Sequence, residues 1–426
     1  MRRKIRLSLT RATVSSRHIH TIAGPSILVT PAFVFCGVWG ITLGLISLQM
    51  TTQLVPMAPA ALWMIGGNMT FILLLAVILH RVVPRHNQPI TSADLVLLDQ
   101  FVSKLRLIWI VGSLFEIVAS GGLPLQWALT ENAAGRNYTD FGIPSFHGIM
   151  NALYLQMMSA YFLVWQLQGE KKHRNLFFLF LLWPIMMLGR GIFLSVVIQC
   201  LGILLLIRVV NVRTIIIVAL IAMANIILFG VIGNIRGTSN PFDYLIDEKW
   251  RWFFKAVPAG FLWVYIYVTS GLNNIFFNAD NLEPLWQFQN TFSKLIPSFI
   301  WNLMGMTRQA DNLAFADANL NVSTMYAGIV SDFGTFGGFI FGCCILFFAS
   351  MVFIYTKKHI IWAMLAYCVV FQGLVFSVFY DMFLLLPTIM QLVVAVAFGI
   401  YHRDQRIKFA RREAKAMRPI LEAPTG

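Results

Sequence analysis

Apolar stretches close to a helical membrane span in length recur along the chain, each set off by a short polar or basic segment. They do not alternate apolar with polar at every second position. The pattern therefore excludes a transmembrane β-barrel and predicts helices that cross a bilayer. Spans are predicted over 27–48, 60–80, 107–127, 147–167, 175–189, 191–207, 214–233, 337–355, 361–379 and 382–401. Between 234 and 336 the pattern dissolves into aromatics, Asn, Pro and charges of both signs. That stretch is too long for a turn. It reads as one large loop, in which "AGFLWVYIYVTSGL" and "FSKLIPSFIWNLM" form interfacial or re-entrant helices, or else a further pair of spans. The expected class is an all-α polytopic membrane protein of about 10–12 transmembrane helices with a large external loop. The parts of this single membrane domain are a basic N-terminus over 1–26, seven spans over 27–233, the loop over 234–336, three spans over 337–401 and a basic tail over 402–426.

Composition supports the class. The chain is 58% hydrophobic and 12% charged, about half the charged fraction of a soluble domain. A net charge of +14 on a soluble protein would point to nucleic acid. Here 24 of the 32 Lys and Arg residues fall in six segments: 1–26, 81–106, 168–174, 208–213, 356–360 and 402–426. Alternate spans put all six on one side, and the positive-inside bias makes that side cytoplasmic, both termini included. The excess charge is a feature of topology, the expected partner is the bilayer, and no nucleic acid is expected. No small-residue cleavage site follows the first apolar run, which reads as an uncleaved span. All five cysteines lie within predicted spans, so no disulfide framework is indicated. With no metal-ligand spacing and no phosphate-binding glycine loop, neither a metal nor another cofactor is expected.

Charge bookkeeping also places one anomalous residue. Arg190 stands in the middle of "LLWPIMMLGRGIFLSVVIQCLGILLLI", and a guanidinium in hydrocarbon costs about 2.5–3.5 kcal/mol on insertion scales. Read as one span, this stretch would put every later basic segment on the wrong side. Read as two, it puts Arg190 at the external turn. The first of the pair is short, which asks for a start nearer Lys171.

Candidate chemistry gathers at the same external ends. Arg190 in "GRG" and Arg236 in "IRG" are flanked by glycine, and their planar forks suit phosphate. Each could instead snorkel to the surface or pair with a carboxylate. Asp332 in "TMYAGIVSDFGTFGG" is either a base or orienting group for a hydroxyl, or a helix-terminal anion. Tyr326 stands in the same segment. Asp140 and His147 precede the fourth span, and His147 reads either as a proton carrier or as a satisfied structural histidine. Glu116 lies within a span, where a carboxylate is a site or a paired group by default.

The chain resembles the bacterial O-antigen polymerases, the Wzy-type integral membrane glycosyltransferases that join oligosaccharide repeat units. The resemblance rests on "GRG" opening a span, "YTDFGIP…H" over 138–147, "YIYVTSGLNN" over 265–274 and "TMYAGIVSDFGTFGG" over 324–338, in that order, with a large late loop and a basic tail. It implies a metal-independent transferase in the bacterial inner membrane, working at the periplasmic face on undecaprenyl-diphosphate-linked oligosaccharide, with undecaprenyl diphosphate as leaving group. Arg190, Arg236 and Arg308 would hold the diphosphate. Asp332, Asp140 or His147 would serve the acceptor hydroxyl. Tyr326, Asn273, Asn274 and Glu116 would contact glycan or acceptor. A polysaccharide chain-length regulator is the protein partner the resemblance implies. Two alternatives stay open. The related O-antigen ligases usually carry a histidine in their catalytic loop, and 234–336 contains none. A transporter or flippase of lipid-linked sugar would need charges deep in several spans.

Overall fold

The computed structural model describes residues 25–82, 90–130, 140–208, 210–236, 242–280, 282–304, 313–317, 320, 322–358 and 360–421. Eleven helices carry the fold: α1 Pro31–Ser47, α2 Pro59–Val82, α3 Ser92–Ser120, α4 Phe146–Gln168, α5 Lys171–Phe180, α6 Arg190–Ile207, α7 Val212–Arg236, α8 Gly260–Ala279, α9 Ala327–Thr356, α10 Ile361–Phe376 and α11 Leu386–Leu421. Among the described residues no strand forms beyond an isolated bridge between Thr51 and Ile246. Among the described residues, five helical segments are long and apolar enough to cross a membrane: Pro59–Arg81, Ser92–Leu129, Arg190–Ile207, Ala327–Thr356 and Leu386–Phe409. The protein is an all-α polytopic membrane protein.

Local signals set the helix ends. Thr91 and Asp94 form a reciprocal capping box that starts α3, and Gly121, left-handed at φ 71°, stops it. Thr30 caps α1, with Pro31 at its first turn. The helices alternate in direction, so their ends collect at two poles. At one pole Asp99 holds Lys172 and His173, and Asp94 holds His402, 2.7 Å away, with Arg406 beside it. This is the basic end. At the other, the loop end, Thr52 donates to the Leu245 carbonyl and Met325 to that of Ser377.

Buried α4 and α10 form the hub, packed on α3, α6 and α11. Through that hub runs a neutral polar network. Gln199 accepts from Ser159 (2.6 Å) and donates to Gln372 and Gln391, while Gln372 donates to Ser195. In hydrocarbon such groups must satisfy one another, and here they tie α4, α6, α10 and α11 together. Large apolar side chains such as Leu107, Val111, Phe115 and Val118 of α3 stand exposed on the outside, as a lipid-facing surface requires.

Besides α3, which runs Ser92–Ser120 where a span over 107–127 is predicted, the structure departs from the sequence reading in four places. The 175–189 segment breaks after Phe180 into α5 and a single turn, Trp183–Met186; α5 does start at Lys171. Second, α9 begins at Ala327, ten residues before the predicted span, and bends at Gly334 (φ 67°, ψ −170°). Third, α11 begins at Leu386 and continues through the predicted tail as far as Leu421. The fourth concerns "AGFLWVYIYVTSGL", expected as an interfacial or re-entrant helix or as one of a further pair of spans, which belongs to the continuous helix α8. Its polar contacts from Tyr265 to Asn278 fall on the 45–55 and 314–322 segments, at the loop end.

Close approach fixes α8 on α7. A Cβ at Gly260 would lie 2.0 Å from the Ile226 carbonyl oxygen, and one at Gly230 would lie 2.4 Å from the Gly260 nitrogen. Small residues let two backbones meet in this way. Gly260→Leu is expected to separate the pair and lower the detergent-solubilised melting temperature by several degrees; an unchanged melt would show that α8 is not held by this contact.

Candidate functional site

Arg190 is the first residue of α6. The chain reaches it through Leu188, a non-glycine residue at positive φ (49°), and Gly189. The guanidinium carbon sits 5.6 Å from the centre of the Trp263 ring on α8. Trp263 is buried, stacks on Tyr267 (16° between planes) and meets Phe242 edge-on at 4.7 Å. The aromatic face favours the cation. The helix does not: N-terminal amides already carry partial positive charge, so a cation in the first turn is repelled and an anion is drawn to both. A Cβ on Gly191 would meet nothing within 4 Å, and Gly191 is exposed. Arg236 closes α7 at the same end of the bundle. Arg308 lies outside the described residues.

Asp332, expected either as a base or orienting group or as a helix-terminal anion, lies inside α9. It is fully buried in α9, two residues before the bend. One oxygen accepts from the Asn290 side chain (2.9 Å) and, longer, from its backbone N–H. The other accepts from the Thr291 N–H (2.8 Å) and hydroxyl (2.6 Å). Its own carbonyl accepts from the Trp286 N–H. A carboxylate with both oxygens engaged by buried donors is a clamp. It latches the short helix Gln289–Phe292 onto α9.

The residues expected to touch glycan are also closed inside. Tyr326 is buried, accepts from the Asn68 side chain at 3.0 Å and packs on Trp39. Asn273 ties down the α1–α2 loop by accepting from the Val55 N–H and donating to the Gln53 carbonyl. Asn274 donates to the carbonyls of Leu320 and Val322 and accepts from the Ala316 N–H. Asn278 holds Ala314 from both sides. Buried loop backbone needs partners for its amides, and these asparagines on α8 supply them.

His147 and Glu116, 31 residues apart in sequence, meet at the loop end. The imidazole Nδ1 lies 3.3 Å from Glu116 Oε2. Glu116 is fully buried and its Oε1 has no hydrogen-bond partner, whereas the His147 side chain is 27% exposed. The loop above is pinned. The Gly142 N–H donates to the Ser120 hydroxyl, the His147 N–H donates to the Ile143 carbonyl, and Phe141 packs edge-on against the imidazole at 5.4 Å. Gly142 has φ 92°, and a Cβ there would press on the histidine at 2.8 Å. Asp140 opens this loop, exposed to solvent. The helical turn Pro124–Leu129 packs against Trp183–Met186, the turn that leads into Arg190. Dyad and arginine therefore belong to one end of the bundle.

Asn278, Asn290 and the Gln199 network were not read as functional from the sequence. The signal for the glutamines was present: Gln156, Gln199, Gln372 and Gln391 are polar side chains inside apolar runs, which rarely lack partners. Asn290 gave none, because its role depends on a residue 42 positions away. Among the described residues no group of three or more His, Cys, Asp or Glu could hold a metal ion. No protein-family model, no curated protein and no solved structure matches this chain.

Proposed function

We propose that this protein is a membrane glycosyltransferase that polymerises undecaprenyl-diphosphate-linked oligosaccharide repeat units at the loop end of its bundle. In this reading the loop end faces the periplasm of a bacterial inner membrane, and the basic end faces the cytoplasm. The observation that carries the reading is Arg190: a guanidinium at the first residue of α6, on the Trp263 face, next to the exposed Gly191. Helix amides and guanidinium together suit a doubly charged phosphate better than either does alone. Arg236, ending α7 at the same pole, suits the same ligand.

The chemistry needs little more. The acceptor hydroxyl oxygen attacks the anomeric carbon of the donor glycan. The bond from that carbon to the phosphate oxygen breaks, and undecaprenyl diphosphate leaves with the electron pair. Charge grows on the leaving oxygen, where preorganised cations lower the barrier most. Holding both lipid-linked substrates at one pole supplies orientation. A chain-length regulator is the partner expected to act on this polymerase.

The test is reconstitution of the purified full-length protein in liposomes with one defined lipid-linked repeat unit and no added nucleotide. A ladder of products spaced by one repeat unit is expected. Movement of the intact substrate across the bilayer without any ladder would make the protein a transporter instead. Single transfer to a lipid A core acceptor, with no ladder, would make it a ligase.

A further inference from the structure

The geometry points to Glu116 and His147 as a proton-accepting pair: we propose that His147 is the catalytic base for the acceptor hydroxyl and that Glu116 is its positioning residue. This rests on the transferase reading and deepens it, since Asp332 has both carboxylate oxygens occupied.

Three observations converge. First, Glu116 is a fully buried carboxylate with Oε1 unpartnered, and Ser113, one turn back on the same face of α3, has a buried hydroxyl with no partner either. An unpaired buried carboxylate oxygen is costly, and in a membrane helix such a group marks function by default. Second, the contact is directional. With Glu116 ionised the carboxylate only accepts, so Nδ1 carries the proton and Nε2 the lone pair. Among the described residues, nothing engages Nε2. Third, the loop holds the ring. Phe141 packs on it, the Gly142 N–H is fixed by Ser120, Ser145 is held at φ 68°, and Gly142 presses close enough to exclude any side chain. A strained backbone around a partly exposed imidazole fits a preorganised base better than a packing residue.

The step balances. As the acceptor oxygen bonds to the anomeric carbon, its proton passes to His147 Nε2. The bond to the phosphate oxygen breaks and the diphosphate leaves with the electron pair. The imidazolium that forms is stabilised by the Glu116 carboxylate at Nδ1, and it returns its proton to water or to the departing diphosphate before the next cycle.

The experiment uses the reconstituted full-length protein and a defined undecaprenyl-diphosphate-linked repeat unit, with size-exclusion profiles showing that each variant is folded. His147→Ala is expected to lower kcat by roughly 10²–10⁴-fold with little change in KM, and added imidazole should restore part of that loss. Imidazole should not help Arg190→Ala. Glu116→Gln should lower kcat with KM unchanged, and should cost nothing further in the His147→Ala background, because it acts through the histidine. Should Glu116→Gln misfold, Glu116→Asp keeps the charge but withdraws the carboxylate, and the same kcat loss is expected. Wild-type turnover with Glu116→Gln unaffected, with no imidazole rescue, or with fully additive losses overturns the dyad and leaves the transferase standing. A wild-type protein that makes no ladder overturns both.

Discussion

Arg190→Ala is expected to abolish long-chain product while the protein still accumulates in the membrane. Arg190 opens α6 at the loop end, nine residues before Gln199, so its loss is expected to leave the hydrogen bonds among Gln199, Gln372 and Gln391 in place. Its proposed work lies in the transition state, where charge develops on the leaving diphosphate. Removing one preorganised donor from such a site typically costs about 10²–10³-fold in kcat. Arg190→Lys should recover little, because an ammonium offers a point charge where the guanidinium offers a planar fork, and its contact with the Trp263 ring changes as well. The measurement is the product ladder from the reconstituted protein, read beside surface-glycan length in cells. Near-normal chain length in Arg190→Ala would remove the clamp, and with it the main support for the transferase.

The second large effect is on stability. Asp332→Ala should unlatch the Gln289–Phe292 turn from α9. It strands two donors on Asn290 and two on Thr291, all buried. Each unpaired buried donor costs about 1–3 kcal/mol. The local segment relaxes before the costs add fully, so a loss of about 3 kcal/mol or more is expected. The same latch presents Trp286 (75% exposed, φ 52°) and Phe288 at the surface, where both pack on Phe333. The readouts are the thermal midpoint in detergent and protease sensitivity of the 285–295 segment. A variant that melts like wild type but does not turn over would return Asp332 to catalysis.

These two residues show what kind of inference a sequence supports. Arg190 was placed at a chain break because loop charges and span lengths are one-dimensional quantities, and the structure starts a helix there. The sequence around Asp332, "VSDFGTFGG", allows either a base or a helix-terminal anion. The chain forms helix from Ala327 and bends only at Gly334, which buries the aspartate. Asn273, Asn274 and Tyr326 are likewise buried, with partners that are backbone and side-chain groups between 42 and 258 residues away. His147 and Glu116 were each visible alone, and nothing in the linear order joined them.

By itself the sequence determined that the protein is an α-helical membrane bundle, where most of its apolar helices lie, which ends gather the basic charge, and that Arg190 sits at a helix start. Hydrophobic length and charge placement act locally and sum along the chain, so they survive without coordinates. Only the tertiary structure decided which polar residues are ties and which are free to react. A buried carboxylate or amide takes its role from whether distant donors and acceptors satisfy it, and that is settled only when the helices pack. Packing saturated Asp332, closed Asn273 and Asn274 onto loop backbone, and left one oxygen of Glu116 unpartnered beside a partly exposed histidine.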